Sequence, residues 1–468
     1  MLYPLVRNLL YSFTDFRLTD LRDAPFVGLD NYGRVLSDPV FWISIRNVLI
    51  YGAISVPGQI VAGFAVAFAL HRRIAGVRLF RTLYFLPVIT SWVVASLIFK
   101  FIFTDRGLLN YVLSDVLHLS DEPVNWLGTP MYAMIVLSLL GIWKGAGWVM
   151  VMYLAALQNV PKDLYEAASI DGATVAQSVR YITLPAIREM TGFVQIMLII
   201  GAFNVFTSVY LVTDGGPLNQ TEVMLTWMYR QAFGNYDLGY ASALSFFIRH
   251  PDRIADLGSV SPDGEERDMR KGILRFAVYV PLIAGALLSL YPLLFMLSTS
   301  LQPMTVVFEY PPKLFSGSMT WSNFEAAWTS RNFSLYLFNS LFVTASSLLV
   351  IALLSSLLAF AYSRFAFVGK RLSFALLMSS LVIPGLTLVI PQFVMMHQLG
   401  LNDSFGGLIT VYASRRDSVY DVSAERLLRF DLQGDRRIYR DRRRLQLDAV
   451  LANDRAVVQT GVRAGDYI

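Results

Sequence analysis

Long apolar blocks separated by short polar connections constrain this chain more than any other feature. Blocks cover roughly 41–70, 79–103, 131–157 and 191–212. About 20 apolar residues suffice to cross a hydrocarbon layer about 30 Å thick as a helix. In such a layer each segment must close its own backbone hydrogen bonds, which leaves helix as the form for isolated blocks. A further block begins near Leu238 and stops at Phe247, and Leu2 to Phe13 reads as the second half of a helix whose beginning is missing, with an interfacial anchor as the alternative. A second series follows at roughly 273–298, 335–362 and 372–396, with another start near Phe405. Of the 468 residues, 55% are hydrophobic and 16% charged, against about 25% charged in soluble domains. The expected fold class is therefore an all-α polytopic membrane protein.

Basic residues set the orientation, because Lys and Arg of short loops stay on the cytoplasmic side. His71, Arg72, Arg73, Arg78 and Arg81 follow the second helix, and Lys162, Arg180 and Arg188 follow the fourth. Arg106 is the only Lys or Arg of the third connection, beside Asp105, Asp115, Asp121 and Glu122. The second and fourth connections are thus expected inside, the third and fifth outside. In the second series Arg270, Lys271 and Arg275 precede the first helix, and Arg364, Lys370 and Arg371 follow the second. Both series start inside, a parallel repeat suited to two halves around a central pathway. With 4 His and no Cys, no metal site, disulfide or thiol chemistry is expected, nor a catalytic residue or cofactor. No G-x-x-x-x-G-K-[ST] phosphate loop occurs, so ATP would be hydrolysed elsewhere.

The fourth connection carries a motif. Glu166-Ala167-Ala168-Ser169-Ile170-Asp171-Gly172 is followed, nine residues on, by Ile182-Thr183-Leu184-Pro185. Asp163 to Ser169 is a good helix former with acids near its start, where the helix dipole favours them. Gly172 permits a sharp turn. Ala173 to Thr183 fits a second short helix, which Pro185 interrupts before the next membrane helix. A compact helix–turn–helix too polar for lipid is the expected result.

This spacing resembles the "EAA" loop of binding-protein-dependent ABC importer permeases: E-A-A, three residues, G, nine residues, I-x-L-P. The resemblance implies that Glu166, Ala167, Ala168, Asp171, Gly172, Ile182, Leu184 and Pro185, within a loop at 163–185, dock on a separate ABC ATPase subunit. Other stretches resemble the carbohydrate branch, of the maltose and glycerol-3-phosphate type. They are Phe26-Val27-Gly28-Leu29-Asp30-Asn31-Tyr32, and Phe203-Asn204 through Asp214-Gly215-Gly216-Pro217. In that family the outward loop, here Asp214, Gly215, Gly216 and Pro217, faces a periplasmic or lipid-anchored solute-binding protein. Asn204, Thr207 and Ser208 are polar residues on a membrane helix, expected to face the bundle interior. There they either touch the transported sugar or hydrogen-bond neighbouring helices. The second series, with Asn339-Ser340-Leu341-Phe342 and Gly400-Leu401-Asn402, resembles the second permease subunit of such an importer. The resemblance implies a multi-pass component of a bacterial plasma (inner) membrane. It would import a sugar or polyol by alternating access, without being an enzyme.

Two stretches depart from the family, 248–268 and 414–468. Both lack Lys and are rich in Arg and Asp. Synonymous codons read one base downstream permit FAILIVSLTLVQFRLMARS directly after Phe247, which completes the short helix. From Leu427 to Leu445 they permit FFDSISKEIEESIEIDGA, a second coupling loop, and from Asn453 to Val462 TIVPLSKPAS. The expected organisation is a first bundle at 1–247, a frameshifted linker at 248–268, a truncated second bundle at 269–413 that opens with Met269, and a frameshifted tail at 414–468. A linker and a disordered tail are the plainer alternative. A secondary transporter, or a non-functional fused product, is the alternative function. Nucleic acid is not expected as a partner, because Asp interleaves the tail's basic residues.

Overall fold

The computed structural model describes residues 2–20, 24–71, 75–120, 122–247, 273–307, 319–329, 332–365, 367–374 and 385–414. The stretch 248–268, the tail beyond Ser414, residues 375–384 and the cations Arg72, Arg73, Arg270 and Lys271 lie outside the described residues. Among the described residues every regular element is a helix. Two compact units form. Among the described residues, one holds those from 2 to 334 with 385–394, the other those from 335 to 374 with 395–414.

The first unit opens with α1 (Leu2–Ser12) and a short α2 (Asp30–Ser37). The block at 41–70 becomes α3 (Pro39–His71), and the block at 131–157 becomes α7 (Pro130–Gln158). The block at 79–103 is not one straight span. It breaks into α4 (Val77–Ile89) and α5 (Trp92–Ile102), bent by 94°. Pro87 removes the amide that would bond the carbonyl one turn back, and Ser91 caps α5 by accepting from the Val93 amide at 3.3 Å. A one-turn α6 (Leu108–Tyr111) follows. After α7 come α8 (Lys162–Ile170), α9 (Val175–Ser178), α10 (Leu184–Ala186) and α11 (Arg188–Phe203). The block at 191–212 also breaks, since α12 (Thr207–Val212) is separate. The Asn204 amide turns back to the Ile200 carbonyl at 2.8 Å, and Phe206 leaves helical geometry with φ −143°. Next come α13 (Met224–Tyr229) and α14 (Leu238–Phe247).

Small residues let α3 and α7 approach closely. Without apolar–water contrast to drive helices together in lipid, close backbone packing does the work. A Cβ at Gly63 would lie 2.6 Å from Val149 Cβ and 3.0 Å from the Ala146 carbonyl. A Cβ at Gly145 would lie 1.8 Å from the Gln59 amide oxygen, the free end of a long side chain. Near one end of α3, Asp38 accepts from Trp227 Nε1 at 2.8 Å and Tyr240 Oη at 2.5 Å, while Arg34 pairs with Asp237 at 2.7 Å. These bonds clamp α2 and α3 onto α13 and α14. Asn8 of α1 donates to Ser245 of α14 at 2.6 Å.

The second series opens with α15 (Ile273–Ser300), which belongs to the first unit. Tyr84 Oη donates to the Leu282 carbonyl at 2.9 Å and Trp143 Nε1 to the Ser289 carbonyl at 3.1 Å. Short helices α16 (Met304–Val307) and α17 (Ser322–Thr329) follow. In the second unit α18 (Phe333–Arg364) turns Val343, Ser347, Ile351, Ser355, Ala359 and Tyr362 inward. Beyond α19 (Val389–Gln398) lies α20 (Phe405–Ser414), with Phe405 edge-on to Phe342 at 5.4 Å. Among the described residues four helices are long and apolar enough to cross a membrane, or six if each of two bent pairs is one span.

The glycine geometry ranks two substitutions. Gly63→Ala meets backbone and a branched side chain, so it is expected to cost about 1–3 kcal/mol by overpacking. Gly145→Ala displaces only a flexible amide and is expected to cost less. Thermal unfolding in detergent measures both, and equal losses would refute this account of the α3–α7 contact.

Candidate functional site

The fourth connection folds as a self-contained hairpin. Alpha-helix α8 ends at Gly172 in a left-handed turn, φ +78°. The Ala173 amide bonds the Ala168 carbonyl at 2.8 Å, and the Gly172 amide bonds Ser169 at 3.3 Å. This is the Schellman arrangement, in which glycine past the helix end satisfies carbonyls that the helix leaves open. Asp171 is the cap residue itself. Three residues on, Thr174 and Gln177 form a capping box that starts α9, so both helix ends close within four residues. A wider π turn at Val179–Thr183 completes the second arm, and Pro185 sits in the first turn of α10. Pro185 thus begins a helical turn, whereas its sequence context suggested an interruption. The break comes at Ile187, with a 69° bend before α11.

Little holds the hairpin to the bundle. Tyr165 and Ile182 pack partly against the core, while the Tyr165 hydroxyl meets Thr183 Oγ1 at 3.0 Å and so joins the two arms to each other. No residue of α8 is buried. Glu166, Ala167, Asp171, Gly172, Leu184 and Pro185 are exposed, and Ala168 is half-buried. Ile170 is 86% exposed and Tyr181 69%. Behind the hairpin lies a cavity of about 320 Å3, lined by Phe68, His71, Tyr165, Ser169, Val175 and Thr183.

Asn204, Thr207 and Ser208 cluster at the break between α11 and α12. Asn204 caps α11 with its own side chain. Ser208 is buried, and its hydroxyl has no hydrogen-bond partner.

The loop at Asp214, Gly215, Gly216 and Pro217 is built on an ion pair with one buried partner. Glu222 is fully buried, and its carboxylate meets Arg230 Nε at 2.8 Å and the Thr226 hydroxyl. Arg230 also reaches the Asp214 carbonyl at 2.8 Å and carboxylate at 3.1 Å. Gly215, at φ +74°, leaves room for the Glu222 carboxylate, which would stand 2.2 Å from a Cβ there. Thr221 donates to the Gly216 carbonyl at 2.6 Å, and Asn47 of α3 holds the Gln220 and Glu222 carbonyls, each at 2.8 Å. Leu218 at the tip is 91% exposed. Burial pushes the Glu222 carboxyl above the ordinary range, and Thr226 and Arg230 pull it back.

These groups do not form one site. Helix α3 touches the Glu222 loop at Asn47 and the hairpin cavity at His71. At 1.5 Å per residue that separates them by about 36 Å. Sequence reasoning passes over Glu222 and Arg230, because nothing in their spacing shows that one carboxylate becomes buried. It also passes over Lys144, although this is the only charged residue in the block 131–157.

Residues 59–296 match the family described as "Binding-protein-dependent transport system inner membrane component". The chain is 37% identical over 231 residues to "Probable ABC transporter permease protein YurN" of Bacillus subtilis (strain 168), covering 48% of this chain and 78% of that protein. It is 34% identical over 254 residues to "Lactose transport system permease protein LacF" of Rhizobium radiobacter, covering 53% of this chain and 83% of that protein. A solved bacterial alginate ABC transporter, bound to a periplasmic protein carrying an alginate pentasaccharide, aligns at 23% identity and TM-score 0.44. The alignment covers 49% of this chain and 79% of that one.

Removing one partner of a buried pair leaves a bare charge and costs about 3–5 kcal/mol. Arg230→Met is expected below that range, because the Arg230 side chain is 37% exposed and solvent screens the pair, and Glu222→Gln is expected to cost less. The Arg230→Met loss should shrink as pH falls, because protonation neutralises the stranded carboxylate. Thermal unfolding at several pH values measures this, and a pH-independent loss would refute it.

Proposed function

We propose, for a chain that belongs to the family of binding-protein-dependent transport system inner membrane components, the role of pathway-forming permease in a sugar or polyol importer. It is a multi-pass plasma-membrane component of the carbohydrate-uptake type and a transport subunit rather than an enzyme. The exposed hairpin carries the finer reading. Its backbone bonds are closed internally and its apolar side chains face outward, as a docking element requires.

In this reading Glu166, Ala167, Ala168, Asp171, Gly172, Ile182, Leu184 and Pro185 engage a separate ABC ATPase at the cytoplasmic face. Closure of the ATPase dimer drives alternating access. Asn204, Thr207 and Ser208 face the pathway, where an unwound helix presents polar groups to a cargo near mid-membrane. The loop carrying Asp214, Gly215, Gly216 and Pro217 faces a solute-binding protein on the other side, with Leu218 at its tip. A second permease bundle completes the pathway. The packing of α15 on α4 and α7 supports a second half closing against the first.

Single cysteines test the assignments in the assembled importer of a frame-intact relative. At the position of Ile170 cross-links to the ATPase are expected, at Leu218 cross-links to the binding protein, and at Thr207 labelling by a water-soluble thiol reagent. Gly172→Ile meets no neighbouring atom, but it forces a β-branched residue into left-handed backbone. Uptake should fall at least ten-fold, with ATP hydrolysis and membrane level retained. Unchanged uptake would sink the coupling role.

We further propose that residues 248–268 and 414–468 are translated out of frame, so that this fused product does not transport. The support is that family-like peptides are permitted one base downstream at both places, the first directly after Phe247. Resequencing the locus decides it: a continuous frame through Phe247–Ile248 and Val411–Arg416, with the same tail in close homologues, would overturn the idea.

A further inference from the structure

Lys144 lies near the middle of α7 and is 5% exposed. Its ammonium reaches the carbonyls of Pro87 at 3.0 Å, Val88 at 3.1 Å and Thr90 at 2.5 Å. An ammonium has three N–H donors, and three acceptors receive them. The nitrogen also stands 5.0 Å from the centre of the Trp92 ring. All four partners flank the break between α4 and α5. The last carbonyls of any helix lack intrahelical partners, and the negative end of the helix dipole gathers there.

In a continuous helix the Val88 carbonyl would bond the amide four residues on, and so would its neighbours. The acceptors of Lys144 therefore exist only while the span is broken. A straight span would strand a buried cation, and a broken span without Lys144 would strand carbonyls in an apolar layer. Gly147, one turn further along α7, brings the two helices together: a Cβ there would stand 2.2 Å from the Tyr84 carbonyl. After Gln158, α7 leads within four residues into α8 of the hairpin.

We propose that Lys144 is a positioning residue that holds the α4–α5 span bent and ties the bend to α7. The bend is thereby joined to the helix that enters the docking hairpin. The tie rests on the fold alone and is independent of what the hairpin binds.

The chain has no cysteine, so introduced pairs can be spin-labelled without background. Leu79 on α4 and Leu97 on α5 are 60% and 51% exposed. With 1.5 Å rise per residue, their backbones stand about 19 Å apart across the bend and would stand about 27 Å apart if the span straightened. Double electron–electron resonance on the full chain in lipid nanodiscs reads this distance. The unsubstituted Lys144 background should give the short distance, Lys144→Met a distance longer by up to about 8 Å, and Lys144→Arg the short one again. A second pair at Leu49 and Leu139, across α3 and α7, should not move and reports that the bundle is intact. An unchanged Leu79–Leu97 distance in Lys144→Met, with the control pair intact, overturns the proposal. If the Met variant disturbs the control pair, Lys144→Arg decides: a short distance supports the tie, and one as long as in the Met variant overturns it. No ATPase or uptake enters the readout, so this result and a failure of the docking reading remain distinguishable.

Discussion

A helix that breaks inside an apolar layer leaves amides and carbonyls that no water can reach. Each unsatisfied group costs several kcal/mol there, so every break must bring its own partners. The first unit meets this demand twice with different chemistry. At the α4–α5 break a buried ammonium collects three carbonyls and a serine caps the next helix. At the α11–α12 break the Asn204 side chain turns back onto its own helix. The first solution ties two helices together, whereas the second is local.

The close pair α3 and α7 gives the unit its axis. Glycines at the contact allow the two backbones to approach, and the polar ends of α3 are fixed by different partners. Near its start Asn47 fastens the loop built on Glu222 and Arg230. At its other end His71 lines the cavity behind the hairpin. Elements that share no residue with each other therefore share one helix.

Much of this was legible in the residues. Hydropathy delimited α3 and α7 to within a few residues. Gly172 announced its turn, because the left-handed residue past a helix end is usually glycine. The breaks at 90–91 and 204–206 were not legible, because mean hydropathy is blind to where a backbone leaves helical geometry. Nor was the Glu222–Arg230 pair: nothing in the spacing of these two residues tells that one carboxylate is buried under a glycine. The context of Pro185 suggests an interruption, yet proline suits a first helical turn, and the chain bends two residues later at Ile187.

The hairpin has a mechanical consequence. Its two arms are joined by a turn whose backbone bonds close within four residues, so its shape needs no support from the bundle. The Tyr165–Thr183 bond joins its two arms, its packing on the bundle runs through Tyr165 and Ile182, and its chain exit is the bend at Ile187, a buried residue. A body that is stiff within itself and fixed near one end behaves as a lever. Force applied at Ile170 would reach α7 through one arm and α11 through the other, with Ile187 as the fulcrum.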